Sequence, residues 1–82
     1  MHGRLWWSTT DDAGWQLDMG HGAWVPNPDW ADIPEEEDSD TLTLLVTDTL
    51  IFHGVDIDQH TVILEEYTDP NDAHRHFHVT IR

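Results

Sequence analysis

The chain has 82 residues, of which 17 are acidic and 3 basic, giving a formal net charge of −14; the basic residues are Arg4, Arg75 and Arg82, and lysine is absent. A chain this short supports one domain, residues 1–82, burying about 60 to 65% of its unfolded surface, which excludes a large enzyme fold with a deep active site. It has no cysteine, so disulfides, Cys-ligated zinc, iron–sulfur clusters and thiol nucleophiles are excluded, and packing alone must hold the fold.

Hydrophobic residues at 38%, five of them tryptophan, are too many for an acidic disordered tail, so a folded domain is expected. Apolar runs such as residues 44–46 and 50–52 fall far short of the roughly 20 that span a bilayer. The N-terminus shows neither the basic flank nor the apolar stretch of a signal peptide, so the expected location is the cytoplasm. An anionic surface is repelled by phosphate backbones and by anionic headgroups. Direct binding to nucleic acid or membrane is therefore disfavoured, and a cationic partner is favoured.

In chain order, residues 4–10 and 15–19 flank Asp11-Asp12-Ala13-Gly14, and Trp15, Leu17 and Met19 alternate with Gln16 and Asp18, as in a β-hairpin. Gly20-His21-Gly22 opens a loop through Pro26-Asn27-Pro28. Asn27 as N-cap and Pro28 at the first helical position suit a short helical turn over residues 28–33. Residues 34–40 carry Glu35, Glu36, Glu37, Asp38 and Asp40 and no apolar side chain, which reads as an acidic, solvated surface loop. Leu42, Leu44 and Val46 then alternate with Thr41 and Thr43 at the period of a half-buried strand. Residues 50–52 continue that strand past a bend or return through Thr47-Asp48-Thr49. Gly54 suits a turn or bulge, residues 60–67 form the next strand, and Asp69-Pro70-Asn71-Asp72 suits a type I turn. In the last strand Ala73, Arg75, Phe77, Val79 and Ile81 line one face, and His74, His76, His78, Thr80 and Arg82 the other. The expected fold is mainly β, a small antiparallel sheet of about five strands with at most one short helix.

The row His74, His76, His78 raises the question of a metal, since imidazoles at i and i+2 share one face of a strand and suit zinc or copper. Same-face Cα atoms are about 6.8 Å apart, so the outer pair spans about 13.6 Å, too far for all three rings to reach one ion. Two of them with His53, His60 or Glu66 across a strand would make a weak site; the simpler reading is a polar, solvent-facing side of the terminal strand. Catalysis finds little support. The only serines are Ser8 and Ser39, no glycine-rich phosphate loop precedes a helix, and there is no lysine to reach a phosphate. Neither enzymatic activity nor a cofactor is expected. Trp6, Trp7, Trp15, Trp24 and Trp30 all lie in the first thirty residues, and adjacent Trp6 and Trp7 must face opposite sides of a strand; either one is exposed as an anchor for a partner, or the aromatics complete a thin core.

The acidity carries the most functional content. Duplex DNA presents one charge per about 1.7 Å, so a net charge of this size corresponds to roughly 24 Å, or about 7 base pairs. Carboxylates two apart on an extended segment, as for Asp38 and Asp40 or Asp56 and Asp58, would lie about 6.8 Å apart, a spacing like that of neighbouring phosphates. Glu65 and Glu66 add to the set.

A small, lysine-free, cysteine-free and strongly acidic chain with carboxylates at Glu35, Glu36, Glu37, Asp38, Asp40, Asp56, Asp58, Glu65 and Glu66 resembles the phage-encoded acidic DNA-mimic inhibitors, anti-CRISPR proteins among them. The resemblance covers the whole chain in size and charge. It implies a protein that engages a basic nucleic-acid-binding protein or complex of a host through those carboxylates and blocks access of nucleic acid. The seven histidines depart from a simple mimic, because imidazole as a residue type gains charge below about pH 6.5, and such a mimic should weaken in acid. A nuclease-immunity protein has a similar composition. A halophile domain, acidic for solvation in high salt, and a metal-binding accessory domain built on the histidine strand are the competing expectations.

Overall fold

Alternation near the N-terminus closes the expected hairpin. β1 (His2–Ser8) pairs antiparallel with β2 (Gly14–Asp18), placing Leu5 opposite Leu17 and Trp7 opposite Trp15. These elements come from a computed structural model of the chain, which describes residues 1–10, 14–20, 23–24 and 33–82. Residues 11–13 of the hairpin turn, most of the loop expected at residues 20–28, and the helical turn expected at 28–33, apart from Ile33, lie outside the described residues. A two-residue strand, β3 (Ala23–Trp24), pairs with the outer edge of β2.

The first departure from expectation comes at residues 41–52, where threonine and alternating aliphatic residues pointed to a strand and the structure has a 14-residue helix, α1 (Ser39–Phe52). Its buried residues are Leu42, Val46, Thr49 and Leu50, at i, i+4, i+7 and i+8, the spacing of one helical face. Both ends are capped. The Asp38 side chain accepts from the Thr41 backbone N–H at 2.8 Å, and Asp40 sits in the first turn, where the helix dipole favours negative charge. At the other end Gly54, at φ +83°, donates to Ile51 O, and Val55 N–H donates to Leu50 O, the paired bonds of a Schellman motif that glycine closes without strain. The threonines fit because Thr43 and Thr47 turn their hydroxyls onto the carbonyls of Ser39 and Thr43.

β4 (Val62–Asp69) and β5 (Asp72–Ile81) form the second hairpin, with Val62 opposite Ile81 and Leu64 opposite Val79. Its turn falls at the expected Asp-Pro-Asn-Asp, where Asp69 Oδ1 accepts from Asn71 N–H at 2.8 Å, and a register shift lies just before it, between Tyr67 and Asp69. β5 also pairs with β1, Leu5 facing Phe77, so the two hairpins join into one antiparallel sheet of order β3-β2-β1-β5-β4. Among the described residues the protein is mainly β with one helix, as expected, but that helix occupies a segment read as strand.

Leu5, Trp15, Leu17, Phe77, Val79 and Ile81 share one sheet face and bury against Leu42, Val46 and Leu50 of α1. Trp7 and Trp15 meet edge to face at 5.5 Å within this layer. Gly3 passes so close to Asp18 O and Met19 that no Cβ fits. Among the described residues no helix is long and apolar enough to cross a membrane.

Candidate interaction surface

The acidic segment before α1 is bolted to the sheet rather than free. Trp15, buried in the core, donates its indole N–H to Pro34 O at 3.2 Å. Arg75 extends from β5 on the core side of the sheet and donates to the carbonyls of Glu35 at 2.8 Å and Glu37 at 2.6 Å. The same guanidinium forks onto Glu66 at 2.8 and 3.2 Å and lies over the Phe77 ring. Its hydrogen bonds hold the Glu66 carboxyl below the ordinary range and raise Arg75 in turn. Glu35 folds inward as well, its carboxylate accepting from Arg75 N–H and contacting His74 Nδ1 at 3.1 Å.

The predicted carboxylates therefore divide by role. Glu35 and Glu37 are half-buried; Glu37 accepts from Asp38 N–H, and Asp38 caps α1, its carboxyl lowered by the Thr41 backbone bond. Glu66 is held by Arg75. Glu36, Asp40, Asp58 and Glu65 are exposed, and their carboxylates have no partner among the described residues. The acidic stretch lies at the surface, residues 34, 36 and 38–40 being exposed and none of 34–40 buried, but it is tied down there, since it contributes two carbonyls and a carboxylate to the packing around Arg75 and its last residues begin the helix. Asp38 and Asp40, and Asp56 and Asp58, are not extended rows: the first pair bounds a helix N-terminus, and Asp56 Oδ1 accepts from Asp58 N–H at 3.2 Å in a turn. What the fold does set is longer in range. Glu36, Asp38 and Asp40 stand at one end of α1 and Asp56 and Asp58 beyond the other, separated by a helix about 21 Å long.

Between them the outer side of α1 presents Leu44, Ile51 and Phe52, which are 70%, 54% and 62% exposed. The sequence reading missed this surface because a strand puts Leu44 on the same side as Leu42 and Val46, whereas a helix turns it outward. The caps Asp38 and Gly54 were the available sign of a helix.

The histidine row does not converge. His76 is buried with only 4% exposure, its Nε2 3.1 Å from Asp72 Oδ2 and its Nδ1 without a hydrogen-bond partner. This corrects the reading of a uniformly solvent-facing row. His74 points to Glu35, and His78 stacks on Tyr67 at 4.1 Å. Asp72 is held below its ordinary value by the His74 backbone N–H first and by His76 second. Glu66, considered as a cross-strand ligand, pairs with Phe77 on the opposite face, while Glu65 stands opposite His78; His60 lies at the far end of the sheet, on Arg82 O, and His53 caps α1. Among the described residues no three His, Asp or Glu side chains form a group that could hold a metal ion. Trp6 faces away from Trp7, with the Arg4 guanidinium 4.4 Å above its ring.

Comparison with protein families, with characterised proteins and with solved structures finds no match to this chain.

Proposed function

We propose that the protein is a charge-mimicking inhibitor, which occupies the basic nucleic-acid-binding surface of another protein or complex in the manner of the phage-encoded DNA mimics and acts in the cytoplasm of that protein's cell. No catalytic step or cofactor enters this reading. The observation that supports it best is the uncompensated charge around α1. Glu36, Asp40 and Asp58 are exposed, their carboxylates with no partner among the described residues, while Arg75 is engaged by Glu66 and two carbonyls and Arg4 lies against Trp6. Glu36 is carried on the anchored segment, Asp40 on the capped helix and Asp58 in a hydrogen-bonded turn beyond it, so little ordering entropy is lost when lysines and arginines of a partner close on them. Such a surface speeds association by steering and loses affinity with salt.

A tagged pull-down from bacterial lysate at low and high salt, with duplex DNA as competitor and mass spectrometry of what is released, tests the reading. A nucleic-acid-binding protein retained at low salt and displaced by DNA supports it. If the retained proteins have no nucleic-acid-binding surface, or DNA fails to displace them, the reading is wrong.

A further inference from the structure

We infer that the outer face of α1 is a docking surface for a basic amphipathic helix of a partner protein. Leu44 and Ile51 are seven residues apart, two turns along one line of the helix and about 10 Å in rise, and Phe52 widens the stripe beside Ile51. All three are more than half exposed, and none is needed for the core, which takes Leu42, Val46 and Leu50 from the other side of the helix. The Phe52 and His53 rings lie 5.4 Å apart, nearly perpendicular to one another.

Charge selects the occupant. Asp40 and Asp48 lie one turn to either side of Leu44 along the same stripe, Glu36 and Asp38 stand beyond its N-terminal end, and Asp56 and Asp58 beyond its C-terminal end. A second copy laid on this face would bring two such carboxylate sets together, each on a chain of net charge −14, and is disfavoured. A partner helix with apolar side chains along one stripe and lysine or arginine on its flanks satisfies both features, since side-chain ridges of one helix pack into the grooves of another. The inference rests on the reading of Glu36, Asp40 and Asp58 as facing a partner, and adds that apolar anchors rather than charge alone grip it.

Two synthetic peptides of roughly 18 residues, equal in lysine and leucine content, test it. In one the leucines recur at i, i+3, i+4 and i+7 and line one helical face; in the other the same residues are reordered so that no face forms. Titrated calorimetrically into the full chain at about 0.15 M salt, a concentration that screens distant charges, the first peptide should bind at least about tenfold more tightly. The triple variant Leu44→Ser, Ile51→Ser, Phe52→Ser should lose that advantage while keeping a weak, salt-sensitive affinity for both peptides. Glu36→Lys with Asp40→Lys should weaken both peptides alike. Equal affinity of the unmodified chain for the two peptides overturns the inference. So does a concentration-dependent dimer in sedimentation that the triple variant dissolves, which would assign the face to a second copy. The readout is a ratio between peptides of equal charge, so it can fail while the DNA-displacement experiment succeeds, and the reverse.

Discussion

The two sides of α1 carry similar residues in opposite environments. Leu42, Val46 and Leu50 on the inner side have no exposed surface, whereas Leu44, Ile51 and Phe52 on the outer side are more than half exposed. Residue type does not distinguish them; position on the helix does. The inner side transfers apolar area from water onto the sheet and contributes to the free energy of folding. The outer side gives up that contribution, and the carboxylates at both ends of the helix surround the apolar surface it leaves open. Stability and binding are thus assigned to opposite sides of one element, and substitutions on the two should have separable effects.

The largest effect is expected inside. Leu50→Ala opens a cavity between α1 and the sheet and should lower stability by about 3 kcal/mol in denaturant titration. A loss below about 1 kcal/mol would mean that α1 is not seated as described.

Next in size is the anchor of the acidic segment. Arg75→Met leaves the Glu35 and Glu37 carbonyls and the Glu66 carboxylate without their donor and should cost about 2 kcal/mol. Amide exchange over residues 34–40 should accelerate more than exchange in the core of the sheet. Uniform acceleration would contradict a local anchoring role.

Acid should act on the same anchors. Asp38, Glu66 and Asp72 titrate below their ordinary values in the folded chain, so in this range the unfolded chain binds more protons and stability rises with pH. Their contribution is complete above the ordinary carboxyl range near pH 4 and is lost as pH falls through the lowered values. Melting temperature should therefore drop on acidification from about pH 5 to 2, and Asp38→Asn should make that drop shallower. A melting temperature that rises steadily with acid would show that relief of self-repulsion outweighs these bonds.

The smallest expected effect sharpens the comparison most. Leu44→Ser, Ile51→Ser or Phe52→Ser singly should change stability by no more than about 0.5 kcal/mol. A loss near that of Leu50→Ala would place the substituted residue in the core.

Much of the sheet was legible because strand alternation survives in the sequence wherever one face is buried. Leu5 with Trp7, Trp15 with Leu17, and Phe77 with Val79 and Ile81 each mark the core side of their strand, and Asp69-Pro70-Asn71-Asp72 marks the turn between β4 and β5. α1 was not legible from periodicity alone. Leu42, Leu44 and Val46 match a strand, and Thr41, Thr43, Thr47 and Thr49 add strand propensity, yet burial of Leu42, Val46 and Leu50 on one sheet face decides the outcome. The acidic segment was half legible. Its charge marked a surface, but the inward turn of Glu35 depends on Arg75, forty residues away in sequence, and no local pattern encodes that contact. The outer stripe of α1 followed the same error, since Leu44 becomes a surface residue only once the segment is helical.

The most direct test of whether the carboxylates are kept for a partner is thermal unfolding followed by circular dichroism at about 10 mM and at molar salt, conditions that differ severalfold in screening length. A domain held by the α1–sheet core and the Arg75 anchor should unfold cooperatively in both, with a folded baseline at low salt. A chain without structure at low salt that folds only at molar salt would contradict the account, because its acidity would then serve solvation rather than binding.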